Sequence, residues 1–160
     1  MPVRKFATHL WFDSQAQEAA ELYTGLFDDS SVEDVILAPE GIPGVEPGSV
    51  FLVYLTIMGQ QYIFLNGGPL FPFDSQVSLY VLCDDQDDVD RYWHALLADG
   101  GKPVQCGWLT DKFGLSWQII PNRLEELMDD DDPAVVDRVI AAMLEMVKLD
   151  VAGLEAAARG

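Results

Sequence analysis

Residues 104–121 read VQCGWLTDKFGLSWQIIP. Apolar runs flank DKFG, so the stretch is predicted to form two short strands joined by a turn at residues 111–114. Strand parity sorts the second run. Leu115, Trp117 and Ile119 fall on one face, and Ser116, Gln118 and Ile120 on the other. The first set is expected to pack on a helix, leaving Gln118 facing away from it. Residues 108–110 form the first strand of the pair, and residues 103–106 a further short strand before it. Asp111 and Lys112 are expected at an exposed hairpin tip.

Upstream, residues 77–83 (VSLYVLC) read as a strand. Leu79, Val81 and Cys83 should face a helix, and Ser78, Tyr80 and Leu82 the side of Gln118. Residues 84–88 (DDQDD) supply caps and favourable charge for that helix. It should bury Val89, Trp93, Leu96 and Leu97 and stop at Gly100 and Gly101. His94 falls on its polar side.

The same order of elements occurs earlier. Residues 6–12 read as a strand. Asp13 and Ser14 open a helix, with Ser14 and Gln17 at capping-box spacing. Its buried face is Ala16, Ala19, Ala20, Tyr23, Leu26 and Phe27. Strands follow at 31–37, 50–57 and 61–65, the last two joined by a tight turn at Gly59. ELYTGLF (21–27) and RYWHALL (91–97) place an aromatic and bulky apolar residues at matching offsets, a weak internal repeat. The expectation is one 160-residue domain: a module over about 5–66, a linker at 67–75 and a second module over about 76–121. C-terminal helices at 122–158 complete it. Residues 38–49 (APEGIPGVEPGS) form a loop, either a binding edge or a plain excursion. Asp132 followed by Pro133 starts a helix whose apolar side carries Val136, Val139, Ile140, Met143, Leu144 and Val147. The four acids at 129–132 read as a solvated helix start, not a calcium loop.

Apolar residues make up 49% of the chain, enough for a real core, and charged residues 22%, too ordinary for a disordered chain. Nine Lys and Arg stand against 27 Asp and Glu, a net charge of −18. Such a surface repels phosphate backbones and anionic membranes, so neither nucleic acid nor membrane is an expected partner. Cys83 and Cys106 are both placed in strands and read as buried free thiols of a cytoplasmic protein, with one disulfide between them as the alternative. No apolar run is long enough to span a bilayer.

LWFDSQAQEAAELYTGLF, FLNGGP, DDQDDVDRYWHALL, CGWLTDKFGLSWQIIP and AMLEMVKLDVAGLEAA together resemble one family of the vicinal oxygen chelate superfamily. It is the PhnB-like family, also called 3-demethylubiquinone-9 3-methyltransferase. The resemblance runs over roughly residues 5–158. It implies an α+β glyoxalase/bleomycin-resistance fold, two βαβββ modules with a cupped mixed sheet. It also implies a homodimer, for which the apolar side of the helix at 133–147 is a further candidate interface.

Metal-dependent members draw ligands from strands of both halves. Carried over, those positions fall on Thr8 or His9, on Asn66, on Ser78, and on Gln118, where metal enzymes usually carry Glu. One imidazole, two amides and a hydroxyl are a weak set for any transition metal, so no metal or other cofactor is expected. A methyltransferase needs a Gly-rich turn opening a helix for S-adenosylmethionine. Gly67 and Gly68 are followed by Pro-Leu-Phe-Pro, which cannot open one.

The expected function is binding of a small organic molecule in the cup. The candidate ligand-binding residues are His9, Asn66, Ser78, Tyr80, Trp108 and Gln118; no catalytic residue is assigned. Three of these have a structural alternative: His9 as a strand residue, Asn66 as a turn cap, Trp108 as core. The alternative function is a lyase, isomerase or dioxygenase using one divalent metal ion. A third is a purely structural or oligomeric role.

Overall fold

Apolar side chains alternating along three of its four strands build the core face of the first sheet. The computed structural model describes residues 6–160. β1 (Thr8–Phe12) leads into helix α1 (Ala16–Leu26), followed by β2 (Ser31–Leu37), β3 (Val50–Ile57) and β4 (Gln60–Asn66). The sheet order is β1-β4-β3-β2, with β1 parallel to β4 and the other pairs antiparallel. Leu10, Phe12, Val53, Leu55, Tyr62 and Phe64 are buried on one face. Tyr23 of α1 meets Phe64 edge-on with ring centroids 5.9 Å apart. Ala16, Ala19 and Ala20 are fully buried, so the helix lies close on the sheet. Met58 and Gly59, both at positive φ (48° and 75°), turn β3 into β4.

The predicted capping box does not form. The N-cap is Gln15 and makes no side-chain cap bond. Instead, Asn66 Oδ1 accepts from Ala16 N at 2.8 Å, so the cap comes from the end of β4. Local sequence could not show this, because the two residues meet only once the sheet is built.

A second set repeats the order. β5 (Ser78–Cys83), α2 (Gln86–Leu97), β6 (Lys102–Pro103), β7 (Trp108–Thr110) and β8 (Ser116–Pro121) form a sheet ordered β5-β8-β7-β6. β5 again runs parallel to its neighbour β8. Asp85 caps α2, accepting from Asp88 N at 3.0 Å. Val89, Tyr92, Trp93 and Leu96 are the buried residues of α2, so Tyr92 takes the place expected for Leu97. The last predicted strand before β7 is shorter than expected. Cys106 lies in a turn at φ 59° and is only half-buried.

α3 (Asn122–Met128), α4 (Pro133–Leu144) and α5 (Val151–Arg159) follow. Asp132 caps α4 with Pro133 in its first turn, as predicted. Ile120, Leu124, Leu127, Val139, Leu149 and Leu154 form one buried cluster, with Val135 and Met143 packed on it. Leu144 and Val147, expected on the buried side, are exposed. The helix ends at Leu144, so the helical spacing no longer places Val147. The fold divides into two compact units between Phe73 and Asp74.

Candidate functional site

Cross-strand pairing fixes which side chains share the face of each sheet away from its helix. In the first unit one row is Trp11, Leu65, Leu52 and Ile36. The next is His9, Ile63, Tyr54 and Asp34. Gln61 and Thr56 pair beyond them. Thr8 lies in register with Tyr62 and Leu55, which are buried on the helix side. His9 is therefore the residue of the pair on the open face, where it is exposed.

Glu33 joins this face through a β-bulge between Val32 and Asp34. Thr56 Oγ1 donates to its Oε1, and Gln61 Nε2 donates to its Oε2 at 3.4 Å. The period-two reading could not place Glu33, because a bulge shifts parity by one residue.

Asn66 does not present a free amide. Its Oδ1 caps α1 and its Nδ2 donates to Val50 O at 3.0 Å. It still lines an open groove of about 490 Å³ between the start of α1 and the loop at 38–49, together with Asp13, Gln17, Glu46 and Ser49. The loop is pinned at its base by Ala38 N to Ser49 O (2.8 Å) and Gly48 N to Ala38 O (2.9 Å).

The second unit brings four predicted residues onto one face. Gln118 is the cross-strand partner of both Tyr80 and Trp108, and Gln118 Nε2 donates to Ser78 Oγ at 2.9 Å. Ser78, Trp108 and Gln118 are half-buried and Tyr80 is exposed. The Tyr80 hydroxyl donates to Glu125 of α3. Burial, with that bond and the nearby Glu125 charge, pushes the phenol well above its ordinary range. Glu125 was not singled out in sequence, since it stands 45 residues from Tyr80 in a helix beyond both repeats. On β8, Ser116 and Ile120 are buried, the latter beneath the C-terminal cluster.

The two most distinctive sequence phrases prove structural. In FLNGGP, a Cβ on Gly67 would lie 2.3 Å from the Trp11 ring, so only glycine fits. Gly68, at φ 88°, accepts from Trp11 Nε1 at 2.8 Å. In DKFGLSW, Asp111 is buried rather than exposed. Its Oδ1 accepts from Phe113 N (2.9 Å) and Leu115 N (3.1 Å), and its Oδ2 from Trp117 Nε1 (2.9 Å). Lys112 is half-buried.

Neither implied cofactor fits these residues. Among the described residues, no three His, Cys, Asp or Glu side chains come together as a metal-binding group. Ser78 and Gln118 offer a metal only a hydroxyl and an amide oxygen, both neutral and weak ligands. The glycine pair after β4 is filled by the Trp11 ring and opens no helix, so it offers no cradle for S-adenosylmethionine.

The sequence pattern of the family described as 3-demethylubiquinone-9 3-methyltransferase matches residues 4–120. A solved structure of a PhnB protein from Bacillus cereus is 32% identical, with a TM-score of 0.66, over 74% of this chain and 99% of that one. A protein from Pseudomonas aeruginosa shares the fold at 19% identity and TM-score 0.60, over 74% of this chain and 98% of that one. The fosfomycin resistance protein FosX from Listeria monocytogenes does so at 14% identity and TM-score 0.50, over 79% and 98%. No curated protein matches the chain. The tail phrase at 142–157 lies beyond the residues matched by the family pattern.

Proposed function

The chain belongs to the 3-demethylubiquinone-9 3-methyltransferase (PhnB-like) family of the vicinal oxygen chelate superfamily, with its glyoxalase fold, and on that premise we propose that it binds a small organic molecule without a catalytic metal. The observation that carries this is the Gln118–Ser78 hydrogen bond. It joins two neutral side chains, at positions where metal-dependent relatives carry ligands, on a face of hydroxyl, amide and aromatic groups. Such a mixture suits a small-molecule site. The family's name is not extended to an activity, because the residues offer S-adenosylmethionine no place. The candidate ligand-contacting residues are Ser78, Tyr80, Trp108 and Gln118 on the second sheet; His9 is a separate candidate on the first, where Asn66 holds the scaffold.

The protein acts as a cytoplasmic homodimer and meets neither nucleic acid nor membrane. The net charge of −18 speaks against nucleic acid and anionic membranes as partners, and no helix among the described residues is long and apolar enough to cross a bilayer.

Native mass spectrometry of protein purified without chelator or affinity metal tests the proposal. A metal-free dimer carrying an organic mass is the expected result. About one divalent metal per chain would overturn it and select the lyase, isomerase or dioxygenase alternative.

A further inference from the structure

The face of the second sheet away from α2 carries two polar rows. Thr110, Ser116 and Ser78 pair across β7, β8 and β5, and Trp108, Gln118 and Tyr80 pair beside them. On β8 the patch is bounded at both ends. Past Gln118, Ile120 belongs to the C-terminal cluster, and ahead of Ser116 the chain closes its turn from Asp111 to Leu115. Rows two residues apart and three strands wide cover about 7 by 10 Å, the footprint of one small ring.

Ser116 is the unusual member. It is only 1% exposed, yet its hydroxyl makes no hydrogen bond among the described residues. No fully enclosed side-chain N or O among them lacks a partner, so the part of Ser116 still open is the hydroxyl itself. The Thr110 hydroxyl and the Trp108 indole N–H, both on half-buried residues, also make none. Gln118 spends one N–H on Ser78 and keeps its other N–H and its carbonyl oxygen, and Tyr80 keeps a lone pair after donating to Glu125. Formal charge lies at the margins. Lys102 pairs with Thr110 from the edge strand β6, and Glu125 bonds Tyr80 on the opposite edge strand, β5. Lys112, on the adjoining turn, is 4.0 Å from Asp99, and Arg123 of α3 pairs with Glu126 and Glu155.

The open groups between those edges are neutral and of both kinds, donors and acceptors. A carboxylate satisfies only the donors and an ammonium only the acceptors, and either gives up its water with no opposite charge in the middle of the patch. A ligand hydroxyl both donates and accepts. We propose that this patch binds one neutral polyhydroxylated ring, a monosaccharide unit or a cyclic polyol, with its hydroxyls at Ser116, Thr110 and Gln118 and its C–H face against Trp108. This rests on the small-molecule reading above and adds the class of ligand. Ser116 sets the specificity, because a ring without hydroxyls would shut its O–H off from water and leave it unbonded.

The test follows the Trp108 indole N–H by nitrogen NMR, the signal being assigned with Trp108→Phe. Four probes of similar ring are titrated at pH 6 and physiological salt: neutral methyl glucoside, anionic methyl glucuronide, cationic methyl glucosaminide, and tetrahydropyran, which has no hydroxyl. Methyl glucoside should move the signal saturably and bind best. Ser116→Ala removes a hydroxyl that nothing in the described protein uses. It should leave Tm unchanged and weaken methyl glucoside about fivefold, the size of one neutral hydrogen bond. Thr110→Val should act alike. Equal or tighter binding of either charged ring or of tetrahydropyran would overturn the inference while leaving the small-molecule reading intact. Unchanged affinity in both variants would also overturn it, since the hydroxyls would then not meet the ligand. If no ring binds but native mass spectrometry finds another organic mass, this inference fails and the broader reading survives.

Discussion

Asp111 offers the sharpest test of how the DKFGLSW phrase works. Its carboxylate receives three N–H donors, two of the bonds lying in the buried interior. Asp111→Asn keeps Oδ1 for Phe113 N and Leu115 N but turns an NH2 group toward the Trp117 indole N–H. One buried bond is lost and two donors face each other, at a cost of about 2–3 kcal/mol. Asp111→Ala strands all three donors and should cost about 3–5 kcal/mol. For a chain of this length, 3 kcal/mol lowers Tm by roughly 6–12 °C. Urea unfolding of each variant, followed by tryptophan fluorescence and circular dichroism, gives the free energies. Trp117→Phe removes the donor, so Asp111→Asn should do less added harm in that background, with a coupling of about 1–2 kcal/mol. If Asp111→Asn unfolds within about 0.5 kcal/mol of the parent, the buried carboxylate is not what holds the hairpin.

Three further outcomes follow from the scaffold. Gly67→Ala should destabilise the first unit by about 1–3 kcal/mol and shift Trp11 emission, because the new methyl lands on the ring; unchanged emission and unfolding would refute the close fit. Asn66→Ala should cost about 1–2 kcal/mol from loss of the α1 cap and the Val50 bond, while Asn66→Asp should recover part by restoring the acceptor; thermal melts decide. Hydrogen bonds from Lys148 and Gln86 hold the Asp90 carboxyl below its ordinary 3.8. That stabilisation is present above about pH 4 and disappears as pH falls through the lowered value. The gap in Tm between parent and Asp90→Asn should therefore be open at pH 6 and narrow steadily as the pH is lowered below 3.8. The pair is partly exposed, which limits the gap to under about 1 kcal/mol.

The sequence made the repeated order of elements legible because each strand and helix shows its own period. β2 and β3 fall on the predicted residues, and Asp132–Pro133 marks the start of α4 as expected. What it hid were the contacts made across long separations. Asn66 caps a helix 50 residues away, and Asp111 is buried although hairpin tips are usually wet. Glu33 is displaced by a bulge, which no alternation pattern announces. Parity did place Ser78, Tyr80 and Gln118 on one face, since β5 and β8 pair without irregularity. Glu125 escaped because its helix follows neither repeat.

Within the second unit, the segment between α4 and α5 is fastened by backbone groups as well as by the Leu149 and Lys148 side chains. Cys106 N donates to Met146 O at 2.9 Å, and Gly107 N donates to Val147 O at 2.8 Å. Gln86 behaves as a detached peptide group, donating to Leu149 O and accepting from Val151 N, 63 and 65 residues away. During synthesis, Gln86 and the turn at Cys106 leave the ribosome well before this segment exists. Translation runs at about 5–20 residues per second, so those groups and the side chain of Ile120 wait seconds for their partners. Over that interval Ile120 lacks the cluster that later covers it. The second sheet is thus completed from behind, because three of the residues that cover Ile120 (Val139, Leu149 and Leu154) follow the acidic run at 129–132 in the chain.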